Sequence, residues 1–187
     1  MPDETPAPLI LTLALDNAAQ TYFNALRRQH FPPHINYLAA HLTLFHHLPG
    51  AGLAAVQAHL QALAATRHPL ALHVAGLRSL GQGVAFSIES DELRDLHRQL
   101  QAEFAPHLTP QDRQKLQPHV TIQNKADPTQ ARQLLATLEA DFAPFGAVGT
   151  GLHLWAYRGG PWESLAEFGF ASQYRTNNLS GPITIRP

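Results

Sequence analysis

The stretch HLTL at residues 41–44 recurs as HVTI at residues 119–122, so each copy has the order histidine, apolar residue, threonine, apolar residue. Side chains of an extended strand alternate between its two faces, and the histidine and threonine of each copy therefore point to the same face. The apolar residues of each copy point to the opposite face, where they can join a core. Two such strands placed opposite each other would bring two imidazoles and two hydroxyls to one cleft.

A third stretch of this type, HLTP at residues 107–110, is predicted to be a loop. Pro106 and Pro110 flank it, and proline has no backbone N–H to donate to a strand ladder. The spacing of histidine and threonine is therefore a weak signal alone. The surrounding sequence decides which of the three stretches are catalytic candidates.

The sequence around the two stretches is an internal repeat. The first unit is predicted to contain a strand at 9–15, a helix capped by Asp16, the HLTL strand, a helix at 53–66 and a strand at 70–80. The second unit has the same order, with a strand at 84–88, a helix at 91–104, the HVTI strand, a helix at 128–142 and a strand at 151–157. The two stretches are offset by 78 residues. We therefore predict one bilobal domain over residues 1–187, with repeats at 9–80 and 83–157 and a C-terminal extension at 158–187.

The first helix is predicted to bury the stripe Ala18, Tyr22, Ala25 and Leu26. Arg27 and Arg28 lie at its end, where they can interact favourably with the helix dipole. Trp162 is predicted to close the core after the last repeat strand, and His153 is predicted to lie at the surface.

Composition favours a compact cytoplasmic enzyme. The chain has 13 Lys and Arg against 14 Asp and Glu, and proteins that follow long duplexes usually carry a basic stripe. There is no cysteine, so neither disulfides nor thiolate zinc sites are expected. The N-terminal apolar run of seven residues is too short for a membrane span and lacks the basic leader of a signal peptide. A monomer that does not bind membranes is expected.

The two stretches resemble the signature of the two-histidine (2H) phosphoesterases. The blocks HLTLFHHLPG (41–50), HVTIQNK (119–125) and LWAYRGGPW (154–162) are most similar to the bacterial RNA 2′,3′-cyclic phosphodiesterase branch, also called 2′-5′ RNA ligases. The resemblance extends from residue 9 to about residue 170. It implies an α/β (α+β) fold with two small, mainly antiparallel sheets, outer helices and a central cleft.

The chemistry follows from the residues themselves. Opening a 2′,3′-cyclic phosphate by water needs a base for the water and an acid for the leaving ribose oxygen, and histidine serves both roles near neutral pH. Thr43 and Thr121 can donate hydrogen bonds to the phosphoryl oxygens. By resemblance, His41 is the general acid and His119 is the base. No metal or cofactor is required.

Further substrate contacts are predicted outside the two stretches. His47 and Lys125 each lie six residues past a catalytic histidine and can donate to a phosphate if the strands extend that far. Phe45 lies on the same predicted face and can flank a base, but core packing is favoured. Tyr37 and Tyr157 are candidates for base stacking, and Arg158 is a candidate for a second phosphate.

A zinc site is another possible use of the clustered histidines. His41, His46 and His47 could meet His30 or His34 around zinc, but strand alternation places His41 and His46 on opposite faces. We therefore predict no metal site.

The leading function is metal-independent hydrolysis of a 2′,3′-cyclic phosphate at an RNA or nucleotide end, with a 2′-phosphate product implied by the resemblance. One alternative is cleavage or joining of 2′-5′ phosphodiester linkages by the same acid–base pair. Another is a module that binds RNA ends without turnover.

Overall fold

The structure is a computed structural model and describes residues 6–171. Its strands are β1 (Leu9–Leu15), β2 (Leu42–Leu48), β3 (Leu70–Ser79), β4 (Val84–Glu89), β5 (His119–Gln123), β6 (Phe145–Ala156) and β7 (Glu163–Gly169). Its α-helices are α1 (Asn17–His30), α2 (Leu53–Thr66), α3 (Asp91–Phe104) and α4 (Pro128–Asp141). Every strand and helix predicted for the two repeats is present. Strand β7 was not predicted, and it lies in the segment expected to be a C-terminal extension.

All strand pairs are antiparallel, in the order β2-β1-β6-β3-β4-β5 with β7 on β6. The long strand β6 joins two halves, because residues 145–149 pair with β3 and residues 149–156 pair with β1. Each half is thus a four-stranded antiparallel sheet, β2-β1-β6-β7 or β6-β3-β4-β5. The predicted fold class is confirmed, and β6 joins the two expected sheets into one.

The two predicted repeats exchange their third strands. Strand β3 ends the first repeat but pairs with β4 of the second, while β6 ends the second repeat and pairs with β1 of the first. Each half of the sheet therefore contains strands from both repeats.

Helix α1 begins as predicted but buries a different face. The Asp16 side chain accepts a hydrogen bond from the backbone N–H of Ala19 at 3.0 Å, which caps the helix. The buried residues are Ala19, Phe23 and Arg27, so the predicted stripe of Ala18, Tyr22, Ala25 and Leu26 was wrong by about one position. The physical reason is Phe23, whose fully buried ring packs 5.3 Å from that of Phe86.

Within residues 6–171, no helix has the length and apolar character needed to cross a membrane.

Candidate active site

The two end strands of the sheet, β2 and β5, contact each other. The sheet therefore bends until the strands that carry the HLTL and HVTI stretches are neighbours. His41 immediately precedes β2, and His119 is the first residue of β5. The charge of His119 contributes to the lowered pKa of His41, as expected for imidazoles that share one cleft.

Both imidazoles are held in the same way by the backbone two residues earlier. Nδ1 of His41 lies 2.8 Å from the carbonyl oxygen of Ala39, and Nδ1 of His119 lies 2.8 Å from that of Gln117. A carbonyl oxygen only accepts, so Nδ1 carries the proton in each ring. Nε2 of each neutral histidine is consequently left with its lone pair, which is the state needed to take a proton.

Burial favours the neutral form of both histidines. It lowers the pKa of His41 to about 4, with smaller contributions from the charges of Arg27 and His119. Burial also lowers the pKa of His119, and the nearby Arg78 charge adds to the effect. An anion between the two rings would raise both pKa values, because it stabilises the imidazolium forms.

Each threonine is followed by a β-bulge. Thr43 lies opposite Thr12 of β1, but Phe45 lies opposite Leu11, so β2 contains one extra residue between them. In β5, Thr121 lies opposite Ala85 of β4, and Gln123 lies opposite Val84. Bulges are frequent near active sites, where they change the direction of a side chain. Thr43 and Thr121 remain partly exposed.

The bulges overturn the prediction that Phe45 lines the cleft. Phe45 is fully buried, and its ring stacks on that of His97 at 4.7 Å between centroids. Gln123 is also turned inward, and its Oε1 has no hydrogen-bond partner among the described residues. Strict alternation fails here because the extra residue changes the face to which the next side chains point, up to the next register shift in the strand.

The other predicted substrate contacts lie on exposed segments. Strand β5 ends at Gln123, and Lys125 follows in a left-handed conformation with φ 55°. His47 is exposed beside a second register shift in β2. Both therefore lack the regular strand geometry on which their predicted position depended.

Tyr37, Tyr157 and Arg158 are also on the surface. Tyr37 is 64% exposed, and its hydroxyl donates to the His34 carbonyl at 2.6 Å. Tyr157 is 43% exposed, and Arg158 forms an ion pair of 2.6 Å with Glu163. Roles for these residues in substrate binding stay predictions.

A pocket of about 260 Å³ opens beside His41. Trp162, expected in the core, instead forms a wall of this pocket, and its ring centroid is 4.7 Å from that of His41. Trp155 and His153 line the same pocket. The block LWAYRGGPW was the available signal, but residues 154–162 could not be joined to His41 without the tertiary pairing of β6 with β1.

Arg27 links the two motifs and was missed at the sequence level. Its Nη1 donates to the carbonyl oxygen of Thr121 at 2.9 Å, while Nε donates to Asn36 and Leu38 in the segment before His41. Arg27 is 5% exposed, and burial lowers its pKa to about 10. The interpretation of Arg27 as a dipole partner is corrected, because its guanidinium turns inward. The sequence signal for this was that Arg27 lies four residues after Phe23, which places both on the same face of the helix.

Arg78 is a second missed residue. It pairs with Ala85, which pairs with Thr121, so the three side chains lie in one row on the same face. Its Nη1 donates to Oε1 of Gln117 at 3.2 Å, in the segment that orients His119. A positive charge therefore lies close to the HVTI half of the cleft.

The loop with the third stretch, HLTP, braces β2. The buried Asp112 carboxylate accepts from the backbone N–H groups of His46 and His47, at 2.8 and 2.9 Å, and from the Thr109 hydroxyl at 3.2 Å. These hydrogen bonds satisfy N–H groups on the edge strand next to the first bulge. Within the described range 6–171, no group of three or more His, Asp or Glu side chains is arranged to hold a metal ion.

A family model described as the 2′-5′ RNA ligase superfamily matches residues 15–161. The chain belongs to this superfamily. The resemblance to the 2H phosphoesterases is thereby confirmed.

Solved structures give the same fold. TT0787 of Thermus thermophilus matches with a TM-score of 0.62 at 17% identity, covering 89% of this chain and 100% of that one. A phosphoesterase matches with a TM-score of 0.58 at 16% identity, covering 89% and 99% of the two chains. Escherichia coli LigT complexed with NADP+ matches with a TM-score of 0.57 at 18% identity, covering 90% and 99%. A search of curated protein sequences gives no match.

Proposed function

We propose that this superfamily member hydrolyses a 2′,3′-cyclic phosphate at an RNA or nucleotide end to a 2′-phosphate, without a metal ion. The observation that carries the proposal is the matched pair of histidines, each with Nδ1 bound to a carbonyl and Nε2 left for proton transfer. A matched acid–base pair is what in-line attack and departure at phosphorus require.

In this mechanism Nε2 of His119 takes a proton from water, and the water oxygen forms a bond to phosphorus. The bond from phosphorus to O3′ breaks, and O3′ receives the proton of Nε2 of His41. The phosphate remains on O2′, and proton exchange with solvent restores the starting state. Thr43 and Thr121 donate hydrogen bonds to the phosphoryl oxygens as their charge grows. The assignment of acid and base rests on the family resemblance.

The lowered pKa of His41 is compatible with a role as the acid. In the free protein a pKa of about 4 leaves the ring neutral at pH 7. The cyclic phosphate is an anion, and its binding raises the pKa of an adjacent imidazole. Substrate binding therefore shifts His41 toward the protonated form that a general acid requires.

Nucleotide-sized substrates are supported by two observations. The net charge is −1, without the excess of cations typical of proteins that track long duplexes. E. coli LigT has been crystallised with 3′-AMP and with ATP. The cytoplasmic location and the monomeric state remain predictions.

Cleavage or joining of 2′-5′ linkages is the second candidate, favoured by the superfamily to which the chain belongs. It uses the same histidines. In joining, the 5′-hydroxyl of a second nucleotide replaces water and bonds to phosphorus while the bond to O3′ breaks; in cleavage, the reverse step, O3′ bonds to phosphorus and the 5′ oxygen leaves with a proton. A non-catalytic RNA-end-binding module is the remaining alternative.

The test is incubation with nucleoside 2′,3′-cyclic phosphates in EDTA, with separation of 2′- and 3′-phosphate products. We expect a 2′-phosphate that His41→Ala abolishes. Activity that EDTA removes would contradict the mechanism. Turnover of 2′-5′ dinucleotides alone would favour the second candidate, and affinity without product would favour the binding module.

A further inference from the structure

The chain contains two tryptophans, and both line the pocket beside His41. The Trp162 ring lies 4.7 Å from His41, and the Trp155 ring lies 6.0 Å from Trp162. His153 stacks on Trp155, with 3.6 Å between centroids and 22° between planes. Four aromatic rings thus form a row that leads away from a histidine of the cleft.

Hydrogen bonds hold this row in place. The indole N–H of Trp155 donates to the Thr12 hydroxyl at 3.0 Å, and Nε2 of His153 lies 2.7 Å from the Ser164 hydroxyl. Thr12 lies opposite Thr43 in the β1–β2 pair, so the same rows of strand partners support the pocket and the motif. The stacking surface is therefore formed before a ligand arrives.

The opposite wall offers little polarity to a ligand. Gln20 and Asn24 line the pocket, but their amides bind the backbone of Ala40, through its carbonyl at 2.7 Å and its N–H at 2.8 Å. The remaining wall includes Ala14, Leu38 and Ala39, none of which carries a charged side chain. Glu167 is an acidic group at the pocket, and its charge disfavours a second phosphate there.

A flat, uncharged aromatic group suits these walls. Drug-sized ligands need pockets of roughly 300–1,000 Å³, so a volume of about 260 Å³ suits one base rather than a dinucleotide. Nucleobases stack on aromatic side chains without requiring a matching charge.

We propose that this tryptophan pocket binds the base of the nucleotide whose 2′,3′-cyclic phosphate lies against His41. The inference rests on the proposed function and adds the site that recognises the nucleoside. Stacking contributes about 1–3 kcal/mol per base, so loss of one tryptophan should weaken binding by about 5- to 150-fold.

Tryptophan fluorescence tests the pocket without turnover. We expect 2′-AMP to quench the emission of the wild-type protein and inorganic phosphate to leave it nearly unchanged. The variants Trp155→Leu and Trp162→Leu each keep one reporter, and both should bind 2′-AMP more weakly. Unchanged emission at a concentration of 2′-AMP shown by calorimetry to be saturating would overturn the proposal.

Kinetics separate base binding from chemistry. With adenosine 2′,3′-cyclic phosphate, Trp155→Leu should raise KM by about 5-fold or more, whereas with ribose 2′,3′-cyclic phosphate, which lacks a base, the ratio of variant to wild-type kcat/KM should be near one. Trp155→Phe should recover most of the affinity, because it retains a stacking ring. Tyr22→Leu removes a half-exposed aromatic ring elsewhere and should leave the KM for the adenosine substrate unchanged.

Three outcomes would contradict the pocket: equal losses for both substrates, no loss in any tryptophan variant, or a loss in Tyr37→Leu or Tyr157→Leu instead. Circular dichroism of each variant checks that it is folded. If no cyclic phosphate is turned over but 2′-AMP still quenches in a tryptophan-dependent way, the proposed reaction fails while the pocket stands. If cyclic phosphates are turned over but neither tryptophan substitution changes the kinetics, the proposed reaction stands and the pocket proposal fails.

Discussion

The HLTL and HVTI halves share one local geometry and differ in what surrounds it. Each histidine binds the carbonyl two residues before it, and each threonine precedes a bulge. Yet the strand row through Thr43 continues to Thr12 and His153, whereas the row through Thr121 continues to Ala85 and Arg78. One half therefore borders an aromatic pocket and the other borders a positive charge.

This comparison indicates how a duplicated motif acquires two roles. The local sequence sets the tautomer and the face of each histidine, since both depend on the backbone within two residues. The third strand of each half sets the environment, and that strand comes from the other repeat. Because the environments differ, the pKa values and the neighbouring ligand surfaces of the two histidines need not match.

The largest effect should come from removing either imidazole. General acid–base catalysis contributes about 10²- to 10⁴-fold, so His41→Ala and His119→Ala should each lower kcat by at least two orders of magnitude. The double variant should lose little more than the worse single variant, because the pair acts as one unit. Full activity of both single variants on cyclic phosphates would contradict the assignment of His41 and His119 as the catalytic pair.

Removing the link between the halves should be the next largest effect. Arg27→Met removes the hydrogen bonds that this buried guanidinium donates to the Thr121 carbonyl and to the Asn36 oxygen, at a cost of about 2–4 kcal/mol in the free energy of unfolding. Urea denaturation measures this loss. Arg28→Met is the matched control, because Arg28 is exposed on the same helix. Equal stability of the two variants would show that the link is dispensable.

The threonine hydroxyls provide a smaller and more symmetric comparison. Thr43→Val and Thr121→Val keep the side-chain shape, and each removes one donor to the phosphoryl oxygens. A loss of about 10-fold in kcat is expected for each, which corresponds to about 1.4 kcal/mol. Strongly unequal losses, measured under the same conditions, would show that the phosphate is held mainly by one half.

The smallest expected effect is a displacement of the pH profile of activity along the pH axis. Burial lowers the pKa of both histidines, to about 4 for His41, so the bell-shaped profile of kcat/KM should centre on the acidic side of pH 6.5. In the kcat profile both limbs should lie at higher pH, because bound phosphate raises both pKa values.

Arg78→Met sharpens this last comparison. Arg78 lowers the pKa of His119, so its removal should raise that pKa and move one limb of the kcat/KM profile to higher pH. NMR titration of His119 measures the change directly. Arg132→Met, at an exposed position of α4, is the control and should leave the titration unmoved. A downward shift in Arg78→Met would contradict the electrostatic argument.

Much of the local structure could be predicted, and the errors share a cause. Helices α2 and α3 begin and end at the predicted residues, because their apolar periodicity and flanking residues are local signals. The buried face of α1 and strand β7 were missed, and strand alternation assigned Phe45 to the wrong face, although its packing in the core was the favoured interpretation. Each depends on a partner distant in sequence: Phe86 for α1, the register with β1 for Phe45, and β6 for β7.

The sequence by itself determined the duplicated order of elements, the two motifs and the family to which they belong. It did so because these features depend on residues that are neighbours in the chain. Only the tertiary structure decided the rest: the exchange of β3 and β6 between the halves, the inward turn of Arg27, and the row of rings from His41 to His153. These arise from register and packing between distant segments, which no periodicity within one segment encodes.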